Sequence, residues 1–124
     1  MRTIVGILVA GALGALARYG LDGFVSRRTS GSFPWGTFVV NVTGAFVLGL
    51  LFTALTDRWS VSPWIRTSIT IGFLGAYTTF STFMLESYRL ASDRALGLAM
   101  LNLAGSVVAG MGAVYLGVVA GRAL

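Results

Sequence analysis

Every charge is missing from four stretches of this chain: Thr3 to Ala17, Thr29 to Thr56, Thr67 to Leu85 and Ala95 to Gly121. About 20 apolar residues in helical form cross the hydrocarbon of a bilayer, where only helices and closed barrels pair all their own backbone polar groups. Four such runs in 124 residues imply an all-α membrane protein, a single domain over 1–124 with four transmembrane helices. The first run is the shortest and is expected to continue past Arg18 toward Phe24. Arg2, the apolar stretch behind it and Ala15-Leu16-Ala17 imitate a secretory leader with its cleavage site. More membrane follows where a soluble domain should, so the segment reads as a retained first span.

Loops follow from punctuation. "SRRTSGSFPWG" (26–36) and "TDRWSVSPW" (56–64) hold the only two prolines, with Gly, Ser and Asp around them, and "ESYRLASDR" (86–94) holds charges of both signs. Trp35, Trp59 and Trp64 fall at span ends, where amphipathic rings sit at the headgroup level.

The net charge of +5 rests on nine arginines, scattered singly apart from Arg27-Arg28. They build no basic patch and imply no nucleic-acid partner; they read as anchors flanking spans. The chain has no cysteine and no histidine. Disulfides, thiolate or histidine catalysis and the usual zinc and haem ligand sets are thereby excluded, and the protein is not expected to be an enzyme.

With four spans, one side of the membrane receives Arg2, Arg58, Arg66 and Arg122, and the other Arg27, Arg28, Arg89 and Arg94. With the count tied, the positive-inside rule selects neither orientation. Insertion in both orientations follows as an expectation, and with it an antiparallel dual-topology homodimer whose two-fold axis lies in the membrane plane. The alternative is one orientation, set by something other than arginine count. Small residues recur every four positions at Gly6, Ala10 and Gly14, at Gly11 and Ala15, at Gly105 and Ala109, and at Gly117 and Gly121. Such stripes let helix backbones approach closely in lipid.

Polar groups inside spans must find partners, and deep ones are candidates for function. Arg18 shares a helical stripe with Gly11, Gly14 and Asp22; it either pairs with Asp22 or snorkels, or it raises the local concentration of anions at a pore mouth. Asn41, one turn after Thr37, is either interhelical glue or an amide that donates to a dehydrated anion. Asn102 and Ser106, one turn apart in the fourth run, carry the same two readings, with the structural one favoured.

The stretch "GFLGAYTTFSTFM" (72–84) is the densest: five of the six residues from Tyr77 to Thr82 carry a hydroxyl. Phe80 and Phe83 share a helical face: they are either lipid-facing or packed aromatics, or, since an aromatic ring is positive at its edge, ring edges turned to a lumen that hold an anion and offer a cation nothing. Ser and Thr compete for backbone hydrogen bonds, so with Gly72 and Gly75 they either mark a place for the third helix to break or satisfy their protons against the preceding turn of an unbroken helix. Broken membrane helices present free carbonyls to cations and half-helix N-termini to anions.

"GALGALARYG" (11–20), "FPWGTFVVNVTGAF" (33–46) and "GFLGAYTTFSTFMLE" (72–86) closely resemble the CrcB/Fluc family of fluoride channels, along the whole chain. The resemblance implies a passive, fluoride-selective channel in the bacterial cell membrane that exports toxic fluoride from the cytoplasm. It also implies an antiparallel homodimer with two pores. By that resemblance Asn41 lines the pore, Phe80 and Phe83 present ring edges to it, Ser81 and Thr82 form a polar track beside them, and Ser106 faces the pore from the fourth helix. Arg18 stands near the aqueous vestibule, and the main-chain carbonyls of Gly75 and Thr78 cage a structural Na+ between subunits. Tyr77 and Ala76 fill the space between those two positions with no role implied. The rival reading, a small dual-topology, proton-coupled exporter of cationic drugs, wants a carboxylate deep in the membrane. The acids here are Asp22, Asp57, Glu86 and Asp93, all at or beyond span ends.

The charge tie generates the first prediction. Ser32 and Ser60 lie in loops on opposite sides of any one copy, so single cysteines at both positions are expected to react with a membrane-impermeant maleimide added outside intact cells; labelling at only one of the two would exclude dual topology.

Overall fold

Each charge-free run becomes the centre of a helical span, because a helix is the one form in which a single segment in hydrocarbon pairs its amides within itself. The computed structural model describes residues 1–124, with spans at Arg2–Arg28, Trp35–Arg58, Pro63–Ser92 and Leu96–Arg122. At 1.5 Å per residue, a 27-residue helix such as the first is about 40 Å long, enough to cross a core of about 30 Å with a turn to spare at each end.

The first and last spans are uninterrupted helices, α1 (Arg2–Arg28) and α6 (Leu96–Arg122). The second is α2 (Trp35–Thr53), finished by a widened turn of i→i+5 hydrogen bonding over Ala54–Arg58. The third is composite. Pro63 opens α3 (Pro63–Thr67), where its missing N–H costs nothing; a widened stretch, Ser68–Leu74, and a single turn, α4 (Gly75–Tyr77), follow, and after two extended residues the chain resumes as α5 (Phe80–Ser92).

Glycine seams hold the spans together. On one side α2 and α6 lie against each other: a Cβ at Gly117 would overlap the Phe46 carbonyl oxygen, one at Gly121 would press on Leu50 and Thr53, and one at Gly49 would press on Val114. On the other side α1 runs alongside the third span, Gly6 against Ser68, Gly11 over Gly72 and Gly14 against the Phe73 carbonyl. In lipid no hydrophobic force drives helices together, so close backbone packing of this kind carries the association. The predicted stripes at 6–14 and 117–121 are thus used inside the chain, whereas a Cβ at Gly105 would meet only Leu101 of its own helix. The exterior is apolar: Leu8, Leu16, Val108, Met111 and Tyr115 are all exposed, and Gly14 is the only buried residue of α1.

Two boundaries differ from expectation. Helix α1 extends to Arg28, four residues beyond Phe24. The stretch 86–94 is helix rather than loop as far as Ser92, because its charges lie where the helix leaves the bilayer and water satisfies them. The stop is a tight turn in which the Ala95 N–H reaches the Leu90 carbonyl at 2.8 Å and the Arg94 N–H reaches Ala91 at 3.2 Å, with Arg94 itself left-handed at φ 61°. That position usually goes to glycine.

Gly14→Ala and Gly117→Ala are each expected to lower stability by about 1–3 kcal/mol, because the added methyl meets backbone that cannot yield. Gly20→Ala, at an open site on the same helix as Gly14, should be neutral or slightly stabilising. Thermal midpoints of the purified variants check both.

Candidate functional site at the helix break

The third span opens at Thr78 (ψ 158°) and Thr79 (φ −148°, ψ 120°), two extended residues between α4 and α5. Interrupting a helix in hydrocarbon frees amides and carbonyls that must be paired by other means. Thr78 stays tied backward, its N–H and its hydroxyl both donating to the Leu74 carbonyl at 3.0 Å. Thr79 is held by Asn41 of α2: the Thr79 N–H donates to Asn41 Oδ1 at 2.8 Å, and Asn41 Nδ2 donates to the Thr79 carbonyl at 2.9 Å. The side-chain amide thus replaces a peptide unit. It commits one of its two N–H groups and leaves the other for a ligand.

Thr79 also caps the new helix, its Oγ1 accepting from the Thr82 N–H at 3.3 Å and lying 3.2 Å from Thr82 Oγ1 and 3.4 Å from Ser81 Oγ. These diversions leave two carbonyls without their helical donors. The Thr79 N–H that would serve Gly75 goes to Asn41, and the Thr82 N–H that would serve Thr78 goes to Thr79. Gly44 makes room for the break, since a Cβ there would overlap Thr78 and Tyr77. Tyr77 is buried and stacks on Phe73, with ring centroids 6.0 Å apart; its hydroxyl lies 2.9 Å from Thr43 Oγ1. Thr43 already donates to the Val39 carbonyl, so Tyr77 is the donor of that pair.

A groove of about 350 Å³ runs along the break, lined by Asn41, Gly44, Gly75, Thr78, Thr79, Phe80 and Phe83 among others. Five of the residues singled out from sequence therefore meet in one place. Phe83 is buried, whereas Phe80 is 73% exposed, and their rings meet edge to face at 6.2 Å and 71°. Thr82 lies on the other side of Thr79, in a small polar cavity of about 10 Å³ with Arg18, Asp22, Thr37, Val40 and Thr79. Such a space holds about one water-sized species. Thr79 lines both cavities and forms the wall between them.

Arg18 does not use Asp22 as its hydrogen-bond partner: its Nε donates to the Ala76 carbonyl at 3.2 Å, and Asp22 accepts from Ser26 instead. Ser81 is exposed and lines neither cavity. Ser106 stands behind the site. It donates to Asn102 Oδ1 at 3.1 Å, Asn102 Nδ2 donates to Ser87 Oγ at 2.9 Å, and Ser87 donates to the Phe83 carbonyl at 2.8 Å, a relay ending on the helix that carries the phenylalanines.

The pair missed from sequence is Thr37 and Glu86, whose hydroxyl and carboxylate are hydrogen-bonded to each other. Thr37 lines the small cavity, and Glu86 lines a third space of about 170 Å³ with Ser32, Pro34 and Arg89 toward the end of the span. The pair thus stands between the small polar cavity and the span end. A hydroxyl one turn before Asn41 and a carboxylate closing the third charge-free run were the available signals.

A family model described as CrcB-like protein, Camphor Resistance (CrcB), matches residues 5–118. The chain belongs to this family. It is 46% identical over 124 residues, all of both chains, to the fluoride-specific ion channel FluC of Citrifermentans bemidjiense. A protein of the same description from Desulforapulum autotrophicum is 47% identical over 116 residues, 94% of this chain and 93% of its own. That of Geobacter sulfurreducens is 44% identical over the full length of both.

Asn41→Ala would strand the Thr79 N–H and carbonyl in an apolar setting. It is expected to cost about 2 kcal/mol or more, read as a lowered thermal midpoint of the purified protein.

Proposed function

We propose that this multi-pass membrane protein is a fluoride-selective channel that lets fluoride leave the cytoplasm passively, and that it is not an enzyme. The observation that carries the reading is the joining of a helix break, an amide with one N–H to spare and a pair of phenylalanine edges in one groove, in a chain whose full-length relatives are described as fluoride channels. Fluoride is small and strongly hydrated, so its passage requires donors that stand in for water in a narrow space. Asn41 supplies an amide proton, Thr82 and Ser81 supply hydroxyls near the start of α5, Ser81 from the exposed face that a second copy would cover, and Phe80 and Phe83 supply ring edges that attract an anion and repel a cation. Larger halides fit these donors poorly. Ser106 tunes the phenylalanine helix through Asn102 and Ser87.

The working unit in this proposal is an antiparallel, dual-topology homodimer. The groove is open along its side, with Gly75 and Phe80 exposed, and polar backbone in contact with lipid tails is costly. A second, inverted copy covers the groove and completes two pores, in keeping with the four-to-four arginine tie. The freed carbonyls of Gly75 and Thr78 suit a hard monovalent cation. With their counterparts in the second copy they would hold a structural Na+, which supplies positive charge between two carbonyl-rich helix ends.

Export of cationic drugs finds no support. The carboxylates nearest the site, Asp22 and Glu86, are each engaged, accepting from Ser26 and Thr37, and the relatives are described as channels.

Purified protein in fluoride-loaded liposomes, with potassium and valinomycin clamping the potential, should release fluoride to an electrode; vesicles that stay full would overturn the proposal. Phe80→Ile and Phe83→Ile keep bulk and lose the ring edge, and each should slow efflux by about tenfold or more, a barrier change of about 1.4 kcal/mol. Asn41→Asp, which places a negative charge in the path, should abolish it.

A further inference from the structure

One freed carbonyl lies beyond the reach of Asn41. In an unbroken helix Ala76 would accept the Phe80 N–H, but Phe80 begins the next helix behind the extended Thr78-Thr79 pair. Its place is taken by the Arg18 guanidinium, 58 residues away in sequence and half-buried, whose Nε donates to the Ala76 carbonyl at 3.2 Å. The glycine seam delivers it. Gly6 meets Ser68, Gly11 meets Gly72 and Gly14 meets Phe73, so α1 and the third span advance side by side in the same direction. One turn past Gly14 is Arg18, and one turn past Phe73 is Ala76. The bond falls at the C-terminal end of a half-helix, where the backbone dipole favours a cation. Arg18 also lines the small cavity with Thr79 and Thr82, so it stands beside both sides of the break.

We infer that Arg18 is a positioning residue for the break. Its fixed guanidinium anchors the end of α4 to α1, and thereby sets where the Gly75 and Thr78 carbonyls and the Asn41-bound Thr79 lie. This differs from a cation whose service is to gather anions at a pore mouth. A field effect depends on net charge, is screened by salt and survives replacement by lysine. A hydrogen bond made through Nε does not survive it, because lysine carries a methylene at that position and its donors one atom farther out. For its effect on transport the inference rests on the channel reading above; for its effect on the backbone it does not.

The test compares wild type with Arg18→Lys and Arg18→Gln, each as the full chain in liposomes. Amide hydrogen exchange is followed across residues 76–82, with the centre of α6 as an internal measure of intact folding. Initial fluoride efflux is followed at low and high ionic strength. Expected is a rise in exchange at the break of about tenfold or more in both variants, with α6 unchanged, since a charged hydrogen bond is lost. Efflux should fall in both alike, and its dependence on ionic strength should stay that of wild type. If Arg18→Lys keeps wild-type exchange and efflux while Arg18→Gln loses efflux together with its ionic-strength dependence, the positioning role is wrong and the field role right. Unchanged exchange at 76–82 in both variants overturns the inference whatever the flux. A wild-type protein that carries no fluoride defeats the channel reading alone, because the exchange result still decides what Arg18 does.

Discussion

A backbone polar group surrounded by hydrocarbon has to be paired within the protein, and the whole architecture answers to that demand. Uninterrupted helices meet it at no expense, as α1 and α6 do. The third span interrupts itself in mid-course, and everything unusual about the chain is found where the interruption is repaired. Asn41 imitates a peptide group for Thr79, Thr79 caps the next helix with its own hydroxyl, and Arg18 reaches the carbonyl left behind at Ala76. Gly44 and Gly14 have no side chain because the helices carrying Asn41 and Arg18 must come close enough to deliver them.

The repair is incomplete in one direction. Inside the chain, donors and acceptors are matched on the side facing α1 and α2, while Gly75 is exposed along the groove. An amide with one proton uncommitted and carbonyls without helical donors amount to stored capacity for partners of both signs. In the proposed channel an anion would meet protons and ring edges, and a cation would meet oxygen. Both capacities arise from a single event in the backbone.

Much of this was legible in the sequence. The spans follow from where charge is missing, and the break announces itself as hydroxyls crowded between Gly75 and Phe83. What could not be read were partnerships, those with backbone and those between distant side chains alike. Ala76 accepts from Arg18 through a carbonyl that every residue possesses, so no side-chain pattern marks it. The Thr37–Glu86 and Ser87–Asn102 pairs join positions 49 and 15 residues apart, and nothing local identifies either as a partner of the other. The helix stop after Ser92 was equally hidden, because Arg94 occupies the left-handed position where glycine would have signalled it. Small-residue stripes were visible, but the sequence did not distinguish those spent within the chain, such as Gly117 and Gly121, from Gly105, which meets no other helix.

The side-by-side alignment of the first and third spans restricts how this chain can vary. A helix gains about 100° of rotation with each added residue. One residue gained or lost between Gly6 and Arg18 would therefore swing the guanidinium away from Ala76 and drive a bulkier side chain into the Phe73 carbonyl. Length polymorphism among homologous chains should gather instead in the Thr29–Pro34 connection, while α1 keeps its residue spacing even where its lipid-facing letters drift freely.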